Sequence, residues 1–344
     1  MAETLPRIIV VSAVNIRKGG TLTVLRECLQ YLSGRIGELK VIALVHDRKL
    51  CDYPGIEYLE LPNTIKGWGR RLWCEYVTMY RISRQITERE ARPIDTWLSM
   101  HDTTPRVKAL HQEVYCHTSF PFLKWTLRDL RMDPKIPLFA MFTRFAYRIN
   151  VHRNDCLIVQ QEWFRDGLSR MLGVPREKFK VIPPKVTIAG VEPEPFSCDV
   201  PMFLYVSTAD CHKNFETLCQ AARLLENEVG AGKFRVMLTI SGEENRYAKW
   251  LKSRWGDVKS IEWAGIMKRE RLFGCYKAAD CFIFPSRVET WGLPITEYMN
   301  LNGGRMLLAD LPYAHETSGG KGEYFTATDA VTLKELMYES IASR

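Results

Sequence analysis

No apolar run in this 344-residue chain approaches the roughly 20 residues a membrane-spanning helix needs. The start, Met1 to Pro6, has no basic stretch, apolar segment or small-residue cleavage site, so a secretory leader is not expected. The ten cysteines are scattered, with no Cys-x-x-Cys pair and no histidines at zinc spacing, which points to reduced thiols in a cytoplasmic protein and to no metal site. The dinucleotide fingerprint Gly-x-Gly-x-x-Gly is absent, which argues against a nicotinamide-dependent enzyme. Asp-x-Asp, the usual cation-binding pair of diphosphate-handling enzymes, does not occur, and neither does any internal repeat or low-complexity tract.

What is present is the composition of a soluble globular protein, 46% hydrophobic and 26% charged, on a chain long enough for two cores. Charge is uneven. Residues 1–190 hold 30 Lys+Arg against 19 Asp+Glu, and the remaining 18 and 21 leave the second half slightly acidic. The basic excess lies among aromatics, in Trp68–Trp73 and Lys124–Arg128. That pairing suits either a plain solvated face or the surface of an anionic bilayer, and no base-reading module points to nucleic acid.

Apolar, β-branched runs alternate with amphipathic stretches along the whole chain. Arg7–Val14 reads as a buried parallel strand, followed by Gly19-Gly20 and a helix to Leu32. Lys40–Val45, Tyr115–His117 and Cys156–Val159 are further strand candidates, and residues 68–92 and 121–150 read as helices. Prolines 183, 184, 193, 195 and 201 interrupt any regular element across 182–201, which places a linker there. Beyond it come strands at Met202–Val206, Phe234–Ile240, Ser260–Trp263, Cys281–Phe284 and Met306–Ala309. Helices are expected at Phe215–Val229, Lys249–Trp255, Arg269–Ala278 and from Pro294 to about Asn300. Strict α/β alternation predicts two Rossmann-like, doubly wound parallel-sheet domains, residues 1–185 and 186–344, with a last helix that could return to the first.

The segment richest in chemistry is Phe284 to Glu297. A strand ends at Phe284, a loop carries Glu289, and Gly292-Leu293-Pro294 opens a helix holding Glu297. Proline suits a first helical turn, where its missing N–H costs nothing, and the amides near Trp291, Gly292 and Leu293 can point at an anion. Glu262 and Glu270 share the carboxylate spacing of Glu289 and Glu297 but lack that strand–loop–helix setting.

Here the sequence resembles the GT-B glycosyltransferases of family 4, the retaining group that includes bacterial lipopolysaccharide and capsule transferases. The match is Pro-Ser, a first Glu, Gly-Leu-Pro and a second Glu, with Trp291 in the aromatic place. It extends through Leu204–Val206, Lys213-Asn214-Phe215-Glu216, Ser241-Gly242-Glu243, Ala264-Gly265-Ile266, Asp310–Glu316 and, upstream, Tyr115–Ser119 and Gln160–Leu168. The resemblance implies two domains facing across a cleft, the first taking a glycan or lipid-linked acceptor and the second a UDP- or GDP-sugar. It implies catalytic roles for Lys213 on the diphosphate, Glu289 on the donor sugar and His117 on the same sugar. Donor binding would fall to Gly19, Gly20, Gly242, Ile266, Trp291, Gly292, Leu293 and, on the ribose, Glu297, with no cofactor and no metal. It further implies a cytoplasmic hexosyltransferase at the inner face of the cell membrane.

The pattern departs at Ser207-Thr208, where the family often has Gly-Arg. Either another cation, such as Lys18 or Arg287, substitutes there, or the donor is held less tightly. Asn302-Gly303-Gly304-Arg305 also departs from the usual Gly-x-Pro and has no assigned role. Two other classes stay open: an inactive GT-B scaffold subunit, and a GT-B phosphorylase or epimerase.

Overall fold

The computed structural model describes residues 5–186, 188 and 190–342, apart from the side chains of Ile65 and Trp68. The first four residues of the stretch read for a leader, two residues of the linker (187 and 189) and the side chain of Trp68 lie outside that set.

The first unit comprises residues 1–118 and 142–184. Its strands are β1 Arg7–Ala13, β2 Leu39–Val45, β3 Glu57–Glu60, β4 Thr96–Ser99, β5 His111–Tyr115, β6 Cys156–Val159 and β7 Phe179–Val181. They form one sheet in the order β3-β2-β1-β4-β5-β6-β7, and every pairing is parallel. The continuous apolar run of β1 is explained by its central place: Val10 is fully buried, with Ile42 beside it on β2 and Trp97 on β4. Gly19 takes φ +70°, a left-handed conformation that glycine adopts freely, and opens the helix Gly19–Ser33.

The second unit comprises residues 119–141 and 185–344. Its sheet runs β10-β9-β8-β11-β12-β13, again all parallel. The strands are β8 Met202–Tyr205, β9 Arg235–Leu238, β10 Ile261–Trp263, β11 Cys281–Phe284, β12 Arg305–Ala309 and β13 Glu323–Phe325. All four residues of β8 and of β11 are buried, as the two central strands of a sheet covered on both faces require. Each unit is a doubly wound, all-parallel α/β sheet, as the alternation of strands and helices predicts.

Three expectations are corrected. A division at residue 185 puts 119–141 in the first domain, but this stretch packs with the second. The last helix, Ala330–Ala342, stays in the second unit, packed along Phe215–Val229, and Lys334 reaches Glu228 at 3.0 Å. The strand at Tyr115–His117 ends at Tyr115, so His117 lies on the following loop.

Candidate active site

In a doubly wound sheet, ligands bind beyond the carboxyl ends of the strands where strand order reverses. In the second unit that point lies between β8 and β11. Lys213 follows β8 and Glu289 follows β11, and the two meet there: Lys213 Nζ donates to Glu289 Oε1 at 2.6 Å, both side chains being largely buried.

The turn carrying Lys213 is held from three directions. The buried Tyr205 hydroxyl donates to the Lys213 carbonyl at 2.6 Å. Asn214, in the left-handed region at φ +59°, donates from its amide side chain to the carbonyls of Pro285 and Ala327. The Arg287 N–H donates to the His212 carbonyl, tying the loop after β11 to the turn after β8. That loop is further pinned by the Tyr313 hydroxyl on the Ser286 carbonyl at 2.7 Å.

Gly292, at φ +86°, is the N-cap of the helix Leu293–Leu301, with Pro294 in the first turn as expected. The amides that begin this helix belong to the set that has no carbonyl partner within it. Trp291 donates its indole N–H to Thr296 at 2.9 Å, and its carbonyl accepts from Thr317. Glu297 lies one turn into the helix, where it accepts from the Tyr276 hydroxyl at 3.1 Å and has Arg269 at 3.7 Å. Burial raises its carboxyl above the ordinary range.

Gly242 and Ile266 follow β9 and β10. The Gly242 amide donates to the Glu244 carboxylate, which also accepts from the Ser241 amide. Burial alone would raise the Glu244 carboxyl, but these backbone donors hold it below its usual value. Ile266 is 88% exposed, beside Gly265 in the left-handed region.

Arg287, one of the cations named as a substitute on the phosphates, is engaged by a carboxylate. Its guanidinium donates to both carboxylate oxygens of Asp129, at 2.9 and 2.6 Å, and to the Cys211 carbonyl at 3.0 Å. Asp129 in turn caps the helix Leu127–Met132 in a capping box with Thr126. The Thr-x-x-Asp pattern is legible in the sequence, but its arginine partner, 158 residues away, is not. Asn302-Gly303-Gly304-Arg305 is a helix stop: Asn302 donates to the carbonyls of Tyr276, Lys277 and Ala279, and Arg305 binds Glu323 and Glu339. Ser207 and Thr208 are held by Thr239 and Asp210.

The remaining candidates belong to the first unit. Gly19 and Gly20 open its first helix, and Lys18 is that helix's N-cap. The His117 imidazole stacks on Tyr115 with centroids 4.4 Å apart, and its Nε2 is buried with no hydrogen-bond partner. Burial lowers its pKa, which favours the neutral ring. Asp102, at φ +69°, accepts from the amides of His117 and Thr118 and from the Thr118 hydroxyl. Strain in a non-glycine residue at a loop end marks a built feature, and no sequence signal singles it out. A hollow of ≈ 630 Å³ in the same unit is lined by Glu60, Asn63, Thr64, Arg70 and Trp73 among others.

The two doubly wound sheets have the GT-B fold. Residues 192–303, which contain Lys213, Glu289 and Glu297, match the family described as glycosyl transferases group 1. Similar solved structures include sucrose-phosphate synthase from Thermosynechococcus elongatus (14% identity, TM-score 0.67) and the lipopolysaccharide outer core galactosyltransferase WaaB in its apo form (13%, 0.64). Anabaena HepE in complex with UDP-glucose is also similar (14%, 0.67), and each of the three alignments covers 98% of this chain and 90% of the other. No curated protein matches the sequence.

Proposed function

We propose that this chain is a retaining hexosyltransferase that moves a sugar from a UDP- or GDP-linked donor, held by the second unit, to a lipid-linked or surface-polysaccharide acceptor taken by the first. The observation that carries the reading is the meeting of Lys213 and Glu289 at the sheet's switch point. The UDP-glucose bound by HepE and the lipopolysaccharide substrate in the name of WaaB support the donor and acceptor classes.

Departure of the nucleoside diphosphate builds negative charge on its phosphate oxygens. Lys213 and the amides of Trp291, Gly292 and Leu293 would be the donors that meet this charge, and preorganised donors of this kind account for most of the rate enhancement in many enzymes. Glu289, released from Lys213 as phosphate replaces it, accepts from hydroxyls of the donor sugar. Glu297 would accept from the ribose and Gly242 and Ile266 would contact the nucleotide, and the resemblance also implies Gly19, Gly20 and His117 as donor contacts. The departing phosphate takes the acceptor's proton, so no separate base is required and no metal or cofactor takes part. The ≈ 630 Å³ hollow, with Trp73 as a platform and Arg70 and Asn63 as polar partners, suits a saccharide acceptor. The enzyme works in the cytoplasm, at the inner face of the membrane.

Titration calorimetry with UDP and with GDP tests the donor assignment. Binding of one of them that is lost in Lys213→Ala is the expected result. Binding of neither would leave the inactive-scaffold reading, which gains from the absence of arginine at Ser207-Thr208. Transfer should persist in excess chelator, and its loss there would contradict the metal-free mechanism.

A further inference from the structure

Asp102 lies just past β4 in the first unit, in the left-handed region at φ +69°, which a non-glycine residue keeps only where its surroundings impose it. Its neighbours on both sides are anchored. The Arg71 guanidinium donates to the His101 carbonyl at 2.6 Å, and the Thr103 hydroxyl donates to the Glu75 carboxylate at 2.7 Å. Arg71 and Glu75 are themselves joined at 2.7 Å, and Glu75 is fully buried. Glu75 sits in the π-helix Cys74–Thr78, a widened turn that occurs frequently at functional sites.

From this frame the Asp102 carboxylate reaches the end of β5. One oxygen accepts from the amides of His117 and Thr118, and the other accepts from the Thr118 hydroxyl at 2.9 Å. The Asp102 amide donates back to the Tyr115 carbonyl at 3.3 Å. All of these residues belong to the first unit.

The His117 ring, stacked on Tyr115, bonds the Met100 carbonyl. Its Nε2 is buried with no partner among the described residues, so Nδ1 makes that bond. A carbonyl only accepts. Nδ1 therefore carries the ring proton, and Nε2 of the neutral ring keeps a bare lone pair. A buried acceptor without a donor is costly, and an O–H group relieves it.

We propose that Asp102 is a positioning residue: by holding the backbone at His117 and Thr118, it presents the bare His117 Nε2 as a hydrogen-bond acceptor for a sugar hydroxyl. The sugar as ligand rests on the transferase reading, and the setting of the ring does not.

Long-range proton–nitrogen NMR spectra of the full chain read the two ring nitrogens directly, with His117→Gln identifying the signals. The unmodified protein should show a protonated Nδ1 and an unprotonated Nε2 in a single tautomer. Asp102→Gly tolerates the left-handed backbone but removes the carboxylate, and should give the averaged signals of a ring exchanging between tautomers. Asp102→Asn keeps a side-chain oxygen for the two amides and should restore the single tautomer. Calorimetry with UDP, UDP-glucose, GDP and GDP-mannose supplies a second readout. Asp102→Gly should weaken the nucleotide sugar that binds by about tenfold, the scale of one lost hydrogen bond, and leave its free nucleotide within about twofold. A protonated Nε2 in the unmodified protein would overturn the proposal, as would mixed tautomers in Asp102→Asn or an Asp102→Gly spectrum identical to the unmodified one. Equal losses for nucleotide and nucleotide sugar would reduce Asp102 to a structural role. Binding of none of the four by the unmodified protein would remove the transferase reading and the sugar with it, while the spectra still decide whether Asp102 sets the ring.

Discussion

Arg287 grips both carboxylate oxygens of Asp129 with its guanidinium, and the two side chains are 9% and 1% exposed. A third bond from the same guanidinium reaches the carbonyl of Cys211, two residues before Lys213. The loop that carries Glu289 and the turn that carries Lys213 are thus fastened through one side chain to the helix Leu127–Met132. Arg287 is therefore a positioning residue, acting on the Lys213–Glu289 spacing.

Asp129→Ala leaves the guanidinium buried without its counter-charge, which typically costs about 3–5 kcal/mol. Urea unfolding should show a loss of that order. Arg287→Lys keeps a charge but not the two-pronged geometry, so kcat should fall more than donor KM rises. Equal unfolding midpoints for Asp129→Ala and the unmodified protein would contradict the clamp.

Lys213→Ala should reduce transfer by about 10²–10³-fold, the scale on which one preorganised donor contributes to a developing anion. Glu289→Gln should lower kcat while leaving nucleotide affinity nearly unchanged, because the lysine is then free for phosphate. Circular dichroism should report an intact fold in both. Full activity in either variant would remove that residue from the site.

His101 gives an acid-side prediction. It lies buried among Ser12, Ser99, Thr103 and Glu75, and burial pushes its pKa down to about 4 from 6.5, Glu75 opposing the shift. A folded-state value below the unfolded one means the neutral ring is favoured in the fold. Its contribution is complete above pH 6.5 and is lost as pH falls from 6.5 toward 4, by up to about 3 kcal/mol. His101→Gln should flatten the stability profile across that window. An unaltered slope there would show that the ring is not held neutral.

Gly292→Ala should be harmful beyond its size. The residue sits in the left-handed region, and an added Cβ would lie 3.2 Å from the Ile295 side chain. The conformational penalty alone is about 1–2 kcal/mol. Loosening the helix start should weaken nucleotide binding, measured by calorimetry, more than it lowers the melting temperature.

Much of the second unit was legible because its signals are local. The helices Phe215–Val229 and Arg269–Ala278 and the strand Cys281–Phe284 lie where periodicity places them, to the residue. The short strands β3, β4, β7 and β13 escape such a reading, since three or four residues carry too little pattern against the helices around them. In the candidate site, the cap at Gly292 follows from Gly-Leu-Pro. The capture of Arg287 by Asp129 does not, because it depends on where residues 119–141 come to rest. The left-handed Asp102 was equally hidden, as its conformation answers to three donors supplied by another strand's end.

The chain passes between its two units three times, after Thr118, after Met141 and after Pro184. A single cut therefore cannot free either one. Residues 185–344 expressed alone would present Arg287 and Glu216 stripped of Asp129 and Arg128, their partners on the missing stretch. A chimera that borrows the second unit by one splice near residue 185 inherits the same defect. Recombination must carry two separated pieces of gene together, so new pairings of the two units arise less readily than the two-domain outline suggests.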